Sequence, residues 1–372
     1  MRNGRVHFMG SEIYRGSSYG LWHPLHVPRV STVMDLTRAL GWLPPDRYIT
    51  APRARMAALT AFHTPAYIAA LMQAEAEQTV DAATRARHHI GTAANPVFAQ
   101  MFRRPATGAG GVILAAGLLA QGGTVHVPGG GTHHGLPDRA NGFCYLNDPV
   151  LAIMALRHHG VTRVAYVDID AHHPDGVEAA FARDPDVLMI SVHEENRWPR
   201  TGRIGDIGLG QVYNLPVPAG FHDDEMALAR DVLILPLLAA FRPQAIVLQC
   251  GADALLEDPQ SRLALSNNAY LAVVAALQAV APRYLVLGGG GYNPWSVGRL
   301  WAAVWAVLAG QEVPDHLPDP AQDVLRALQW PGRKHFSGPP THWLDTLRDL
   351  PRGGAIRDEV RARIAILAFR RI

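Results

Sequence analysis

The sequence predicts one large α/β domain built on a central parallel sheet with helices on both faces. Three observations lead there. Short apolar, β-prone runs recur along the chain with helical segments between them, and that alternation implies right-handed crossovers and a sheet covered on both sides. The runs are apolar at consecutive positions, as buried parallel strands are. Four of the five are followed by unusual Gly-rich or polar segments, at the strand ends where sites form in such sheets. A chain of 372 residues, 48% of them hydrophobic, is sufficient for a sizeable core.

In chain order, residues 111–120 are Ala/Leu-rich and predict a buried helix. Residues 124–127 (TVHV) predict a strand, followed by GGGTHHG at 129–135. A helix over 149–158 leads to a strand at 164–167 (VAYV), which runs into DIDAHHPDG. Strands follow at 187–192 (VLMISV), 245–248 (AIVL, then QCGAD) and 284–287 (YLVL, then GGGGYN), with helices at 224–241 and 267–281. From Pro314 the text turns Pro-rich before an amphipathic segment, IRDEVRARIAILAFRR, at 356–371. We expect a domain over 1–315 and a C-terminal appendage, 316–372, packed on it.

The formal net charge of +2 is too small to suggest nucleic-acid binding by bulk electrostatics. Basic residues are nearly all Arg, with Lys334 the single Lys, which reads as a GC-rich genome. The two cysteines, Cys144 and Cys250, form no CxxC pattern, so a reducing cytoplasm fits better than a disulfide framework. The start, MRNGRVHFMGSEIY, lacks the apolar stretch of a signal peptide. No run reaches the roughly 18 apolar residues that span a bilayer. The expectation is a cytoplasmic protein without membrane or nucleic-acid partners. Monomer and homo-oligomer both remain open.

The densest chemistry is Asp168, Asp170, His172, His173 and Asp175, directly after a core strand. Burying so many polar groups is costly unless a metal or tight pairing compensates. Asp170 and His172, at i and i+2, point the same way on extended backbone and would make half of a metal site. A solvated, turn-rich loop is the alternative. His133 and His134 would point apart on extended backbone, so joint ligation of one ion is disfavoured. Near an activated water they would serve as general base and general acid. Asp253 at a strand end reads equally as a helix cap. The four glycines before Tyr292 permit close backbone approach, and Tyr292 is a candidate hydroxyl donor or a packing residue.

Together these motifs resemble the zinc-dependent histone deacetylase family, including its bacterial acetoin-utilisation and acetylpolyamine-amidohydrolase members. The resemblance runs in the family's order from His23, Pro24 and Leu25 with Pro28 and Arg29, through Phe62 and His63 and the GFCYLND at 142–148, to about Asp315. It implies a single-domain arginase/deacetylase-type fold and removal of an acetyl or other acyl group from an acylated amine such as acetyl-lysine. By the same resemblance, Asp170, His172 and Asp253 are the ligands of Zn(2+), with Fe(2+) fitting similar donors. His133 and His134 are the tandem histidines, with Asp168 and Asp175 as their carboxylate partners, and Tyr292 polarises the scissile carbonyl. Gly142, Phe143, Trp198, Gln260 and Gly290 take substrate-contacting positions, with Phe143 and Trp198 walling the acyl-lysine tunnel. Arg29 lies by an internal acetate channel. Asp168 and Ser191 match side-chain ligands of a structural potassium ion.

Three positions depart from the family pattern. Pro174 stands where a Gly is usual, Ala94 where a substrate-gripping Asp is usual, and Gln260 where lysine deacetylases have Leu or Met and polyamine-selective relatives Glu. A neutral tunnel walled by Phe143 and Trp198, with no charge contact at its rim, is therefore expected, with weak sequence preference and no selectivity for cationic polyamines. Acetylpolyamine or another small N-acylamine is the alternative substrate, and a catalytically silent acyl-lysine binding module the alternative of another class. An arginase-type two-metal ureohydrolase would need further carboxylates at the positions of Pro174 and Leu255, and both lack them.

Overall fold

A computed structural model describes residues 5–330 and 336–370. Lys334, the first four residues of the N-terminal segment and Arg371 of the C-terminal segment lie outside the described residues.

Eight strands form one sheet: β1 (Val6–Gly10), β2 (Tyr48–Thr50), β3 (Gly123–Val127), β4 (Val164–Asp168), β5 (Val187–Glu194), β6 (Val212–Val217), β7 (Ala245–Gln249) and β8 (Arg283–Leu287). Every neighbouring pair is parallel, in the order β2-β1-β3-β8-β7-β4-β5-β6. The five strands expected from sequence are β3, β4, β5, β7 and β8, each one or two residues longer than its apolar run. The three strands that were not expected hold the two edges. β6 carries Asn214 and Pro216, and a proline, which offers no N–H to a ladder, is tolerated on an edge strand. β1 and β2 are short and lack a continuous aliphatic run.

Side chains alternate across the sheet and divide the core into two layers. Val164, Tyr166, Val187, Met189 and Val247 face the helices Arg103–Leu118 and Asp148–His158. Ala165, Val167, Leu188, Ile190 and Leu248 face the layer built from Val30–Ala39, Asn267–Val280 and Pro294–Ala309. A third cluster, with Tyr67, Tyr145, Leu146 and Tyr292, lies beneath the loops.

Two helices differ from expectation. The helix expected from residue 111 starts at Arg103, because Gly108 and Gly110 sit in its first turns as contact points rather than breakers. A Cβ at Gly110 would collide with the backbone of Pro52 and Ala54. The helix expected over 224–241 is continuous in direction but passes through a π-helical turn, Arg230–Ile234, between Asp223–Ala229 and Leu235–Phe241. Pro236 explains it: its missing N–H breaks the i→i−4 ladder, and the wider turn accommodates the break.

Within 316–370, Asp319–Arg326 and Asp358–Ala368 are helical. Leu325, Trp343, Leu347, Val360, Ile364 and Leu367 join the same core layer as β4 and β5. Arg299, itself buried, reaches this segment through an ion pair with Asp349 at 2.8 Å and through the carbonyls of Thr346 and Arg348.

Trp305 is fully buried, its Nε1 donates to the Trp42 carbonyl at 2.9 Å, and its ring packs edge-on against Phe8. Trp305→Ala leaves a cavity and an orphaned carbonyl, and should cost about 3–5 kcal/mol. Urea unfolding should show this as a lower midpoint at unchanged slope.

Candidate metal and catalytic centre

The four Gly-rich or polar segments are separated in sequence, yet they follow four strands that are adjacent in the sheet, β3, β8, β7 and β4. Parallel order brings all four C-terminal ends to one rim of the sheet.

Asp170, His172 and Asp253 converge there. All three are buried, and one donor atom from each lies within 4.8 Å of the others. His172 Nδ1 is 2.8 Å from Asp253 Oδ2 and 3.3 Å from Asp170 Oδ1. The carboxylates are held by backbone donors. Asp170 accepts from Gly290 N at 2.7 Å and His172 N at 3.0 Å, and Asp253 accepts from Ala171 N at 2.9 Å. Gly251 and Gly290 are required by this packing, since a Cβ at either would collide with the carboxylate of Asp170 or Asp253. Although burial opposes it, Asp253 and Asp170 raise His172 to about 10. Two carboxylates and one imidazole, buried and facing each other, make an electron-rich pocket whose donor set fits a divalent cation.

His133 and His134 each commit Nδ1 to a carboxylate, leaving Nε2 for the site. His133 Nδ1 donates to Asp168 Oδ2 at 2.8 Å, and His134 Nδ1 to Asp175 Oδ1 at 2.7 Å. Asp168 also accepts from the Tyr166 hydroxyl at 2.6 Å and from Asp170 N, and Asp175 from Asn141 Nδ2 at 2.9 Å. The two rings do not point apart. Their centroids are 4.0 Å from each other, because His133 and His134 sit in a turn and not on extended backbone. Their electrostatics diverge. Burial disfavours charge at both, but Asp168 and Asp170 hold His133 up at about 9, whereas burial and the neighbouring His133 push His134 down to about 4.

Tyr292 is 7% exposed, and its backbone N–H donates to Asp258 Oδ2 at 2.6 Å. Two cavities meet at its side chain. The inner one, about 50 Å³, is lined by Tyr14, Arg29, Arg104, His133 and Gly290. The outer one, about 770 Å³, is lined by Trp198, Gln260 and residues of the surface loops. His134, Gly142, Phe143, His172 and Tyr292 line both and mark the constriction. Phe143 lies edge-on to Tyr292 at 5.9 Å, and Trp198 edge-on to His134 at 4.6 Å. Gly142, at φ 51°, admits the Trp198 ring, which a Cβ there would displace. Arg29 donates to the Gly289 carbonyl at 2.6 Å. Ser191 pairs in register with Asp168 across β4 and β5, and its hydroxyl bonds His193 Nδ1 at 2.8 Å. His173, the remaining polar residue of that segment, turns away to Glu178 and Thr201.

Sequence reasoning did not identify several positioning residues. Asp258 is buried and holds both Gln260 N and Tyr292 N, and burial together with Asp253 raises its carboxyl to about 8. Asn147 bridges the carbonyls of His133 and Gly135, and Gln249 donates to the Gly131 carbonyl. In sequence these are ordinary polar residues, and only the fold brings them to the site. The expected absence of charge at the rim is also corrected: Arg197, Arg200, Arg262, Glu194 and Glu195 line the outer cavity, because the loops after β5 and β7 both open onto it.

Comparison with known proteins agrees with this arrangement. The model of the histone deacetylase domain matches residues 23–308. The acetoin utilization protein AcuC of Bacillus subtilis (strain 168) is 34% identical over 325 residues, 84% of each chain. Histone deacetylase 8 of Xenopus tropicalis is 34% identical over 301 residues, 78% of this chain and 80% of that protein. Among solved structures, a histone deacetylase homolog from Aquifex aeolicus superposes with a TM-score of 0.93 at 34% identity, covering 98% of this chain and all of that one. A structure of a histone deacetylase homolog complexed with SAHA superposes equally well. Matches of this extent, over a fold that gathers the same motifs at one rim, show that the chain belongs to the histone deacetylase family and is a hydrolytic deacetylase.

Proposed function

We propose that this enzyme is a zinc-dependent amidohydrolase that removes an acetyl or related acyl group from an acylated amine, acetyl-lysine being the reference substrate. The observation that supports it is the convergence, at one constriction, of a three-donor Asp-His-Asp cluster, two carboxylate-held histidines and Tyr292. Asp170, His172 and Asp253 would hold the cation, whose chemistry when bound is to lower the pKa of a water and polarise an amide carbonyl.

The remaining steps belong to the chain. Phe143 and Trp198 line an aliphatic stem, and Gly142 and Gly290 keep the passage open beside it. One ring of the pair His133 and His134, each oriented by its carboxylate, accepts a proton from water as the water oxygen attacks the carbonyl carbon. Tyr292 donates its hydroxyl hydrogen to the tetrahedral oxyanion. A protonated ring of the pair returns the proton to nitrogen as the C–N bond breaks, giving a carboxylic acid and a free amine. Arg29, with the inner cavity beyond the constriction, takes the acid product. Asp168 and Ser191 are assigned to a structural potassium ion. We assign 1–315 to the catalytic domain and 316–372 to its appendage.

Among the described residues no helix is long and apolar enough to cross a membrane, and both cysteines are buried and unpaired. With the arginine bias, this supports a cytoplasmic, bacterial enzyme.

Three variants test the assignment. Asp253→Ala should remove metal and activity together, read as metal content per chain and turnover of an acetyl-lysine fluorogenic substrate. Full metal retention would overturn the ligand set. His134→Ala should keep the metal and lose most turnover, and stoichiometric loss of metal would make it a ligand instead. Tyr292→Phe should keep fold and metal while kcat falls at least ~10²-fold, the size of a lost oxyanion donor. Near-normal kcat would remove Tyr292 from the chemistry.

A further inference from the structure

We infer that the outer cavity selects acyl-lysines flanked by carboxylate side chains. This rests on the deacetylase reading of the constriction and concerns the surface around it.

The charges lining the cavity do not cancel. Glu194 is taken by Arg197 in a two-pronged pair at 2.8 and 2.9 Å and also accepts from the Arg262 backbone N–H at 2.8 Å. Glu195 is taken by Arg363, from the C-terminal helix, at 3.0 Å. Glu194 is therefore neutralised within the protein, and Glu195 is engaged by Arg363, which it shares with Glu359 at 3.7 Å. Arg200 and Arg262 line the same cavity and are exposed, and neither guanidinium has a hydrogen bond or ion pair among the described residues. Asn95 adds an uncharged donor. It lines the cavity, is 2% exposed, and its Nδ2 has no partner. His89 is the remaining titratable group at the mouth. The result, among the described residues, is two unpaired cations and no carboxylate without a partner around the entrance.

Both arginines sit on anchored backbone. Arg200 is held at φ 66°, its N–H donating to the Arg197 carbonyl at 2.7 Å. Arg262 is fixed by Glu194 and lies two residues after Gln260, which shares Asp258 with Tyr292. An acyl-lysine inserted through the constriction leaves its flanking residues in a cavity of about 770 Å³, large enough for side chains on either side of the lysine. Carboxylates there meet two guanidiniums, and ammonium or guanidinium groups meet like charge. The effect is a substrate preference of modest size, because exposed pairs are screened by salt.

The test compares three acetyl-lysine peptides of equal length, flanked by Glu, by Gln or by Arg, with the metal-loaded full chain. At about 20 mM salt the Glu peptide should exceed the Arg peptide in kcat/KM by roughly tenfold, the difference lying in KM, and the ratio should shrink toward one at about 0.5 M. Fluorescence anisotropy with a labelled Glu peptide should show the same salt dependence in Kd. The double variant R200E/R262E should reverse the order of the Glu and Arg peptides. Because both side chains are exposed, turnover of the Gln peptide serves as the internal reference for an intact centre. Equal kcat/KM for all three peptides, or an order unchanged by R200E/R262E, would overturn this inference while leaving the deacetylase reading in place. No turnover of any peptide would overturn both.

Discussion

Buried carboxylates at the ends of β4 and β7 are the constraint on which the rest of the centre depends. Asp168, Asp170, Asp253 and Asp258 are all buried, and each would be strongly destabilising without compensation. Each finds its own. Asp168 is held by His133, Tyr166 and the Asp170 N–H. Asp258 is held by two backbone N–H groups, and Asp170 and Asp253 by three between them. The cost of this arrangement falls on neighbouring positions, which must be glycine for the donors to come close enough. What the backbone leaves unbalanced is the space shared by Asp170, His172 and Asp253, and that imbalance is what suits the site to a cation.

Much of this centre was legible in the sequence, for a physical reason. In a parallel sheet the polar residues that follow an apolar run are delivered to the same rim, so motifs far apart in the chain become neighbours without any further information. β3, β4, β7 and β8 announce themselves because strands covered on both faces must be continuously apolar. They proved to be four consecutive strands of the sheet, and the histidines, aspartates and Tyr292 behind them meet.

What was not legible depends on pairing rather than on pattern. β1, β2 and β6 lie at or near the edges, and β6, although buried along its length, could accept Asn214, which donates to Glu178, and Pro216, since an edge strand has no partner on its outer side. His133 and His134 lie side by side because the backbone turns after β3, which no periodicity rule reports. The rim was misjudged for a related reason. Ala94 and Gln260 suggested a neutral entrance, but its charge is set by Arg200 and Arg262, whose partners cannot be inferred from sequence. Whether an arginine is free or spent depends on which glutamate reaches it, and here Glu194 and Glu195 are spent elsewhere.

Asp258 explains why substrate choice would reside in those exposed side chains and not in the backbone of the rim. One carboxylate accepts from Gln260 N on the rim loop and from Tyr292 N behind the constriction. Moving the rim backbone therefore strains the hydrogen bond that sets the position of Tyr292, so any shift at the entrance is felt where the proposed oxyanion donor must hold its place. Side chains that project from the anchored loop are free of that coupling. Arg200 and Arg262 can change charge without moving Asp258, which separates tuning of the entrance from the geometry of the reaction.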